Sequence, residues 1–401
     1  ESVNMIKRDK YLDLLIKNKD TDYVKLLIGV RRSGKSTLLL LMENYLIGNG
    51  VSKENIININ FEKIKNDYLK DGKELHNYIE NKIKNKDKYY LFLDEVQEIE
   101  EWARVVNSLR VSYNVDIYAT GSNARMFIGE HLTYLAGRYL SIYVYPLSYE
   151  EYISFTNNDK EFNKHYYNFL KSSFPGVVRE EDREIREMLS HDVFKAIFDR
   201  DIMLRGNISD SNLLNNVSRY LLEHISAPIS VNKITNTLNS EGVNISYKSV
   251  NKIVELMEDA FFVYPCYRYD IKGKEILKQS PKYYVVDFGI RSEIVPNSLA
   301  NQGRILENFI YLELIKKGYK VFTGRTDRNY EVDFIATKND ETIYVQVSQS
   351  VIDRNTLERE TRVFNHLVNN NRKYLVTMDE TYKAQSDKFE HLNVFDFIKV
   401  I

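Results

Sequence analysis

The order of apolar and polar positions divides the chain into stretches of different period. Between residues 24 and 144, short apolar runs alternate with helix-length segments. The runs "KLLI" at 25–28, "YYLFL" at 89–93 and "VDIYATG" at 115–121 each lead into glycine, carboxylates or small polar groups. Alternation of this kind predicts an α/β unit with a buried parallel sheet. A leading helix is expected over residues 5–19. From residue 145 the pattern turns helical and stays so to about residue 206, the place of a small helical lid.

Residues 207–290 change pattern again. Leu213, Leu214, Val217, Leu221 and Ile225 fall on one helical face. A second helix is begun by Ser230 and ended by Gly242, and a third is begun by Ser246. Two strands, "FFVYPCYRYD" and "KYYVVDFG", follow around a turn near Gly273. Three helices and a two-stranded wing are the order of a winged helix-turn-helix. Near residue 300 an amphipathic helix, "GRILENFIYLELIKKGYKVF", feeds a strand, and "NYEVDFIATKNDETIYVQVSQS" reads as a hairpin.

Chemistry enters between the first strand and its helix. "GVRRSGKST" fits the P-loop pattern with Gly29, Gly34, Lys35 and Ser36, and Thr37 stands behind. The glycines let the loop through Arg32 and Ser33 turn its N–H groups toward phosphate, and the helix N-terminus adds its positive end. Lys35 should reach the β- and γ-phosphates, and Ser36 should offer a hydroxyl to Mg2+. The strand at 89–93 ends in Asp94 and Glu95. Asp94 is expected to hold Mg2+, and Glu95 to polarise the attacking water. The next strand closes on Thr120, Gly121, Ser122 and Asn123, so Ser122 or Asn123 could sense the γ-phosphate. Arg138 and Arg179 are candidates for a transition-state arginine, in cis or from a neighbouring subunit.

Composition narrows the setting. At 401 residues the chain should hold two or three domains. Hydrophobic residues make up 43% and formal net charge is −1, so a nucleic-acid partner must meet a local basic face. The single cysteine, Cys266, excludes an internal disulfide framework, and the seven histidines show no H-x-x-x-H spacing. No signal-peptide pattern or membrane-length apolar run is present, and the expected compartment is the cytoplasm.

Two C-terminal surfaces carry further expectations. On the third helix Val250, Ile253, Val254 and Met257 should pack inward, while Tyr247, Lys248, Asn251 and Lys252 face out; Arg268, Lys272, Lys274 and Lys278 would make the wing basic. Such a face suits DNA phosphates. Beyond it, helical Glu307 and strand Asp333 have the spacing of a metal-dependent nuclease core. The positions expected to read Glu-x-Lys are Gln346-Val347-Ser348, so the fold is read as retained for binding or assembly.

"GVRRSGKST", "LDEVQ", "TGSNA", "AGRY" and "YPLSYEEY", in this order, resemble bacterial and archaeal AAA-type P-loop ATPases with a C-terminal domain of unknown function, related to the archaeal-ATPase and STAND branch. "GRILENFIYLEL", "EVDFIA" and "YVQVSQS" extend the resemblance over nearly the whole chain. It implies an α/β fold in four parts: an AAA-type core at 1–145, a helical lid at 146–206, a winged helix-turn-helix at 207–295 and an inactive nuclease-like domain at 296–401. It also implies ATP and Mg2+ as ligands and a homo-oligomer such as a hexameric ring. The related branch's lid motif G-G-x-P survives only as Ser172-Ser173-Phe174-Pro175, with Pro175 expected near the nucleotide. The expected function is ATP turnover coupled to binding or remodelling of duplex or branched DNA. The alternative is a slow nucleotide switch acting on a protein partner.

Overall fold

A computed structural model describes residues 8–401. The chain begins with α1 (Asp9–Lys17), β1 (Val24–Ile28), α2 (Lys35–Gly48), β2 (Ile56–Asn60), α3 (Gly72–Lys82), β3 (Tyr89–Asp94), α4 (Trp102–Ser112), β4 (Val115–Gly121) and β5 (Tyr139–Tyr143). The part of the expected leading helix at residues 5–7 lies outside the described residues. Next come α5 (Tyr149–Phe155), α6 (Tyr166–Phe169), α7 (Pro175–Val178) and α8 (Arg183–Lys195), which runs on into a π-helical segment, Ala196–Leu204. Then follow α9 (Ser211–Glu223), α10 (Val231–Ser240), α11 (Tyr247–Asp259), β6 (Val263–Asp270), β7 (Glu275–Val285), α12 (Phe288–Ser292) and α13 (Gln302–Lys316). The chain ends with β8 (Lys320–Arg325), β9 (Glu331–Lys338), β10 (Glu341–Val347), α14 (Arg354–Thr361), β11 (Arg372–Thr377), β12 (Glu390–Asn393) and α15 (Val394–Val400).

These elements form two compact units. The first comprises residues up to Leu147 with Phe174–Leu189 and Asp259–Phe261; the second holds the remainder. The expected lid is thus shared between them.

In the first unit five parallel strands stand in the order β2-β3-β4-β1-β5. Every residue of β1 and β3 is buried, as strands covered on both faces require. Helices flank this sheet, and the architecture is that of a P-loop AAA-type α/β core. At the N-terminal end of the strands the buried Lys25 ammonium pairs with Asp116, which also accepts from the Tyr118 hydroxyl at 2.8 Å and from the Asp20 N–H at 3.0 Å.

The second unit is built on a seven-stranded mixed sheet, β12-β11-β10-β9-β8-β6-β7. The hairpin expected as a two-stranded wing is part of it, because Arg268–Asp270 of β6 pair in parallel with Thr323–Arg325 of β8. A boundary at residue 295 therefore cuts through one continuous sheet. The three preceding helices begin on side-chain caps from Asp210, Ser230 and Ser246. On α11, Val250, Ile253, Val254 and Met257 are buried.

Helix α13 departs from the amphipathic expectation. Asn308, Glu313 and Lys316 are buried together with its apolar residues. The Asn308 amide bonds both the N–H and the carbonyl of Val285 on β7. Phe309 packs edge-on against Tyr149, Tyr166 and Phe169. From Ile305 onward no residue of the helix is exposed, so no solvent face marks its period.

Candidate functional site: a phosphate loop beside two carboxylates

Where β1 ends, the backbone passes so close to its neighbour that a Cβ on Gly29 would stand 2.1 Å from the Val144 carbonyl oxygen. Gly34 has φ +103°, a conformation glycine adopts without cost, and α2 starts at the next residue. Arg32 is left-handed too, at φ 67°. The loop therefore delivers the unpaired N–H groups of a helix's first turn to the C-terminal edge of the sheet. Lys35 arches back over the loop, its ammonium donating to the Gly29 carbonyl at 2.8 Å and the Val30 carbonyl at 2.7 Å. The buried Ser33 hydroxyl has no hydrogen-bond partner among the described residues. Arg8 braces the loop from behind, donating to the Ser33 carbonyl at 2.9 Å.

Strand β3 brings Asp94 and Glu95 to the same edge. Both are nearly buried, 5% and 7% exposed. Thr120, at the end of β4, joins them: its hydroxyl donates to Asp94 and accepts the Glu95 N–H at 2.9 Å. Ser36, at the start of α2, is near enough to help hold the Asp94 carboxyl down. Burial pushes the Asp94 carboxyl up, and Glu95 adds to this, against the opposing pull of Thr120, Ser36 and Lys35. For Glu95 burial is again the largest influence, but Lys35, Gln97, Arg31 and Ser122 together outweigh it and hold the carboxyl below its ordinary range. Environment thus drives two adjacent acids in opposite directions.

Glu95 sits at φ 62°, left-handed for a non-glycine residue. That turn brings Oε2 to the Ser122 hydroxyl at 2.9 Å and to the Gln97 amide, which also donates to Ser122 at 3.3 Å. Of the two sensor candidates, Ser122 makes this contact. Asn123 is buried with its Oδ1 capping the Arg125 N–H at 3.0 Å. Three contributors were not singled out from sequence: Gln97, Arg8, and Asn60, whose amide meets Asp94 at 3.4 Å. "LDEVQ" contains Gln97, but its role depends on the left-handed turn before it.

Other expected residues fall nearer or farther. Thr37 is half-buried in the first turn of α2. Pro175, the first residue of α7, lies beside the loop, its Cγ 3.8 Å from where a Gly34 Cβ would stand. Arg138 is corrected as a cis residue: it precedes β5, is exposed and pairs with Asp22. Because β5 runs parallel to β1, Arg138 is at the opposite end of the strands from the loop, about 15 Å away. Arg179 is exposed just after α7.

On α11, Lys248 and Lys252 are exposed, and the Asn251 amide donates to Glu255 at 2.9 Å. Arg268 is half-buried on β6; Lys272 and Lys274 are exposed at the turn, with Lys272 4.0 Å from Asp327.

An AAA domain family matches residues 21–153, and domains of unknown function, DUF8612 and DUF4143, match 162–300 and 302–395. Over 399 residues the chain is 39% identical to an uncharacterized protein of Haemophilus influenzae, covering 98% of each. The chain belongs to that protein's family. Within this family of AAA-type ATPases with C-terminal domains of unknown function, MJ1544 of Methanocaldococcus jannaschii is 29% identical over 416 residues, covering 98% of this chain and 90% of its own. Among solved structures, the Walker-type ATPase PABY2304 of Pyrococcus abyssi overlays with a TM-score of 0.46 at 15% identity, over 72% of this chain and 96% of that one. No described helix is long and apolar enough to cross a membrane.

Proposed function

We propose that the chain binds ATP with Mg2+ at the loop between β1 and α2, hydrolyses it, and couples turnover to binding or remodelling of DNA as a homo-oligomer. One observation carries the reading: Lys35, Ser36, Asp94 and Glu95 converge on one edge of one sheet. The loop N–H groups, with those of Arg32 and Ser33, would hold the phosphates while Lys35 swings from its carbonyls to the β- and γ-phosphates. Ser36 and Asp94 fit Mg2+, because a hydroxyl and a carboxylate brought to the same edge are the hard oxygen donors it takes. When bound, the ion would neutralise charge on the phosphate oxygens. Glu95, kept ionised and held at Oε2 by Ser122 and Gln97, would orient the attacking water.

DNA contact would fall to Lys248, Asn251, Lys252, Arg268, Lys272 and Lys274. Arg138 would act only on the site of a neighbouring subunit. The second reading, a slow switch for a protein partner, is favoured by the hairpin being tied into the large sheet and by the partners that Asn251 and Lys272 already have.

Steady-state ATPase rates alone, with duplex DNA and with a four-way junction separate the readings, with Lys35→Ala as blank. Stimulation by DNA of about tenfold, and retention of both ATP and DNA by Glu95→Gln, are expected. A rate indifferent to every DNA would sink the coupling, and a Lys35→Ala rate equal to wild type would sink the site.

A further inference from the structure

In the second unit, one ammonium stands where the sequence suggested a metal core. Lys282, near the end of β7, is 7% exposed in its side chain and points into three carboxylates. It lies 3.2 Å from Glu307 of α13, 3.0 Å from Glu331 and 3.7 Å from Asp333 of β9. The Tyr284 hydroxyl donates to the same Glu307 oxygen at 2.7 Å, and the Val347 N–H donates to the other oxygen of Asp333 at 2.8 Å. Gln346, in the place of an expected carboxylate, accepts the Asp333 N–H at 3.1 Å and donates to Glu360 at 3.0 Å. The three acids contribute oxygens from a helix and a strand, and their common neighbour is a lysine from a strand that precedes both in sequence.

We propose that Lys282 is the built-in cation of this centre. It occupies the position a divalent ion would take between Glu307, Glu331 and Asp333, and makes the centre independent of metal. The lysine is anchored where it is: β7 pairs with β6 from Lys282 to Val285, with Cys266 opposite Lys282, and the ladder resumes at Leu277 beyond an irregularity. Its distances to the carboxylates suit an ammonium, whereas Mg2+ or Mn2+ would need oxygens at about 2.0–2.2 Å. With the ammonium already within 3.0–3.7 Å of all three acids, a dication has no room to reach them together. Three acids and one ammonium leave an excess of negative charge, so without the lysine the same oxygens become a ligand set for a hard dication. The role of the C-terminal sheet is then to join hairpin, helix and strands by an internal ion cluster.

The test is Mn2+ binding to the full-length, nucleotide-free protein, read from the loss of the free-ion spin-resonance signal. Wild type and Lys282→Arg should show no binding that Asp333→Asn removes. Lys282→Met should bind Mn2+ at least about tenfold more tightly than wild type, and Asp333→Asn in that background should abolish the gain. Wild-type binding that disappears in Asp333→Asn, or Asp333-dependent nicking of plasmid DNA by wild type with Mn2+, would overturn the proposal. So would a folded Lys282→Met protein with no new site. If Lys282→Met does not fold, the comparison of wild type with Asp333→Asn still decides.

Discussion

Glu313 is fully buried on α13, and its environment gives a pH dependence that can be worked out in advance. One carboxyl oxygen accepts the N–H of Tyr149 at 2.9 Å, at the first turn of α5; the other has no hydrogen-bond partner among the described residues. Tyr149 itself packs among Phe162, Phe169, Phe309 and Phe395. Burial raises the carboxyl from its ordinary 4.5 to about 7, opposed by Lys316, the Tyr149 N–H and Lys317 and reinforced by Glu150. The folded state therefore keeps a proton that the unfolded chain releases near pH 4.5. The associated stability is complete below that pH and is lost as pH rises through about 7. The interval between the two values, at about 1.4 kcal/mol per pH unit, is worth about 3 kcal/mol.

Glu313→Gln removes this titration while keeping an oxygen for the Tyr149 N–H. Urea melts from pH 5 to 8.5 should show wild type losing about 2.5 kcal/mol relative to the variant, the rest having been lost below pH 5. The sole tryptophan, Trp102, lies in the other unit, so its fluorescence does not follow this event. Hydrogen exchange of peptides from α5 and α13 does, and comparing the two proteins at equal pH cancels intrinsic exchange rates. A difference that stays constant with pH within about 0.5 kcal/mol would refute the reasoning, whatever the absolute stabilities.

Gly29→Ala should abolish retention of a fluorescent ATP analogue, because its Cβ would lie 2.1 Å from the Val144 carbonyl oxygen; Gly176→Ala, with nothing within 4 Å of the new atom, should retain it. Equal binding by the two variants would contradict the close approach at Gly29. Lys25→Met leaves Asp116 buried without its ammonium and should cost about 3–5 kcal/mol in urea melts followed by Trp102, with part recovered by adding Asp116→Leu. Loss below about 1 kcal/mol would mean that the Tyr118 and Asp20 bonds suffice for Asp116.

Much of the first site is legible in the sequence because its parts are local. A glycine loop, a carboxylate pair and small polar residues each follow an apolar strand, and parallel strands bring such ends to one edge. What cannot be read is whatever depends on strand order or on a single backbone angle. Thr120 joins Asp94 to Glu95 because β4 lies beside β3, and Gln97 reaches Glu95 only through the left-handed turn. Arg138 follows the sensor-like loop in sequence, yet it precedes a parallel strand and so lies at the far edge. On α13 the period is hidden because Asn308 and Glu313 are buried with polar partners of their own. Lys282 has no local signature at all: its three acids come from elements later in the chain.

The two charged centres use aspartate and glutamate in opposite ways, and the difference lies in what partners them. Asp94 and Glu95 are held mainly by hydroxyls and an amide, with Lys35 resting on main-chain carbonyls. Neutral partners such as Thr120 can give up a hydrogen bond to Asp94 when a dication arrives, and Lys35 sits on a helix end from which it can swing to phosphate. The acids around Lys282 already face an ammonium fixed on a paired strand, with Tyr284 donating to the same Glu307 oxygen and Val347 to the other oxygen of Asp333. Exchange there would require expelling a covalently tethered charge from a buried position. A centre meant to bind and release an ion with each turnover needs the first arrangement; a centre meant to hold a sheet together is better served by the second.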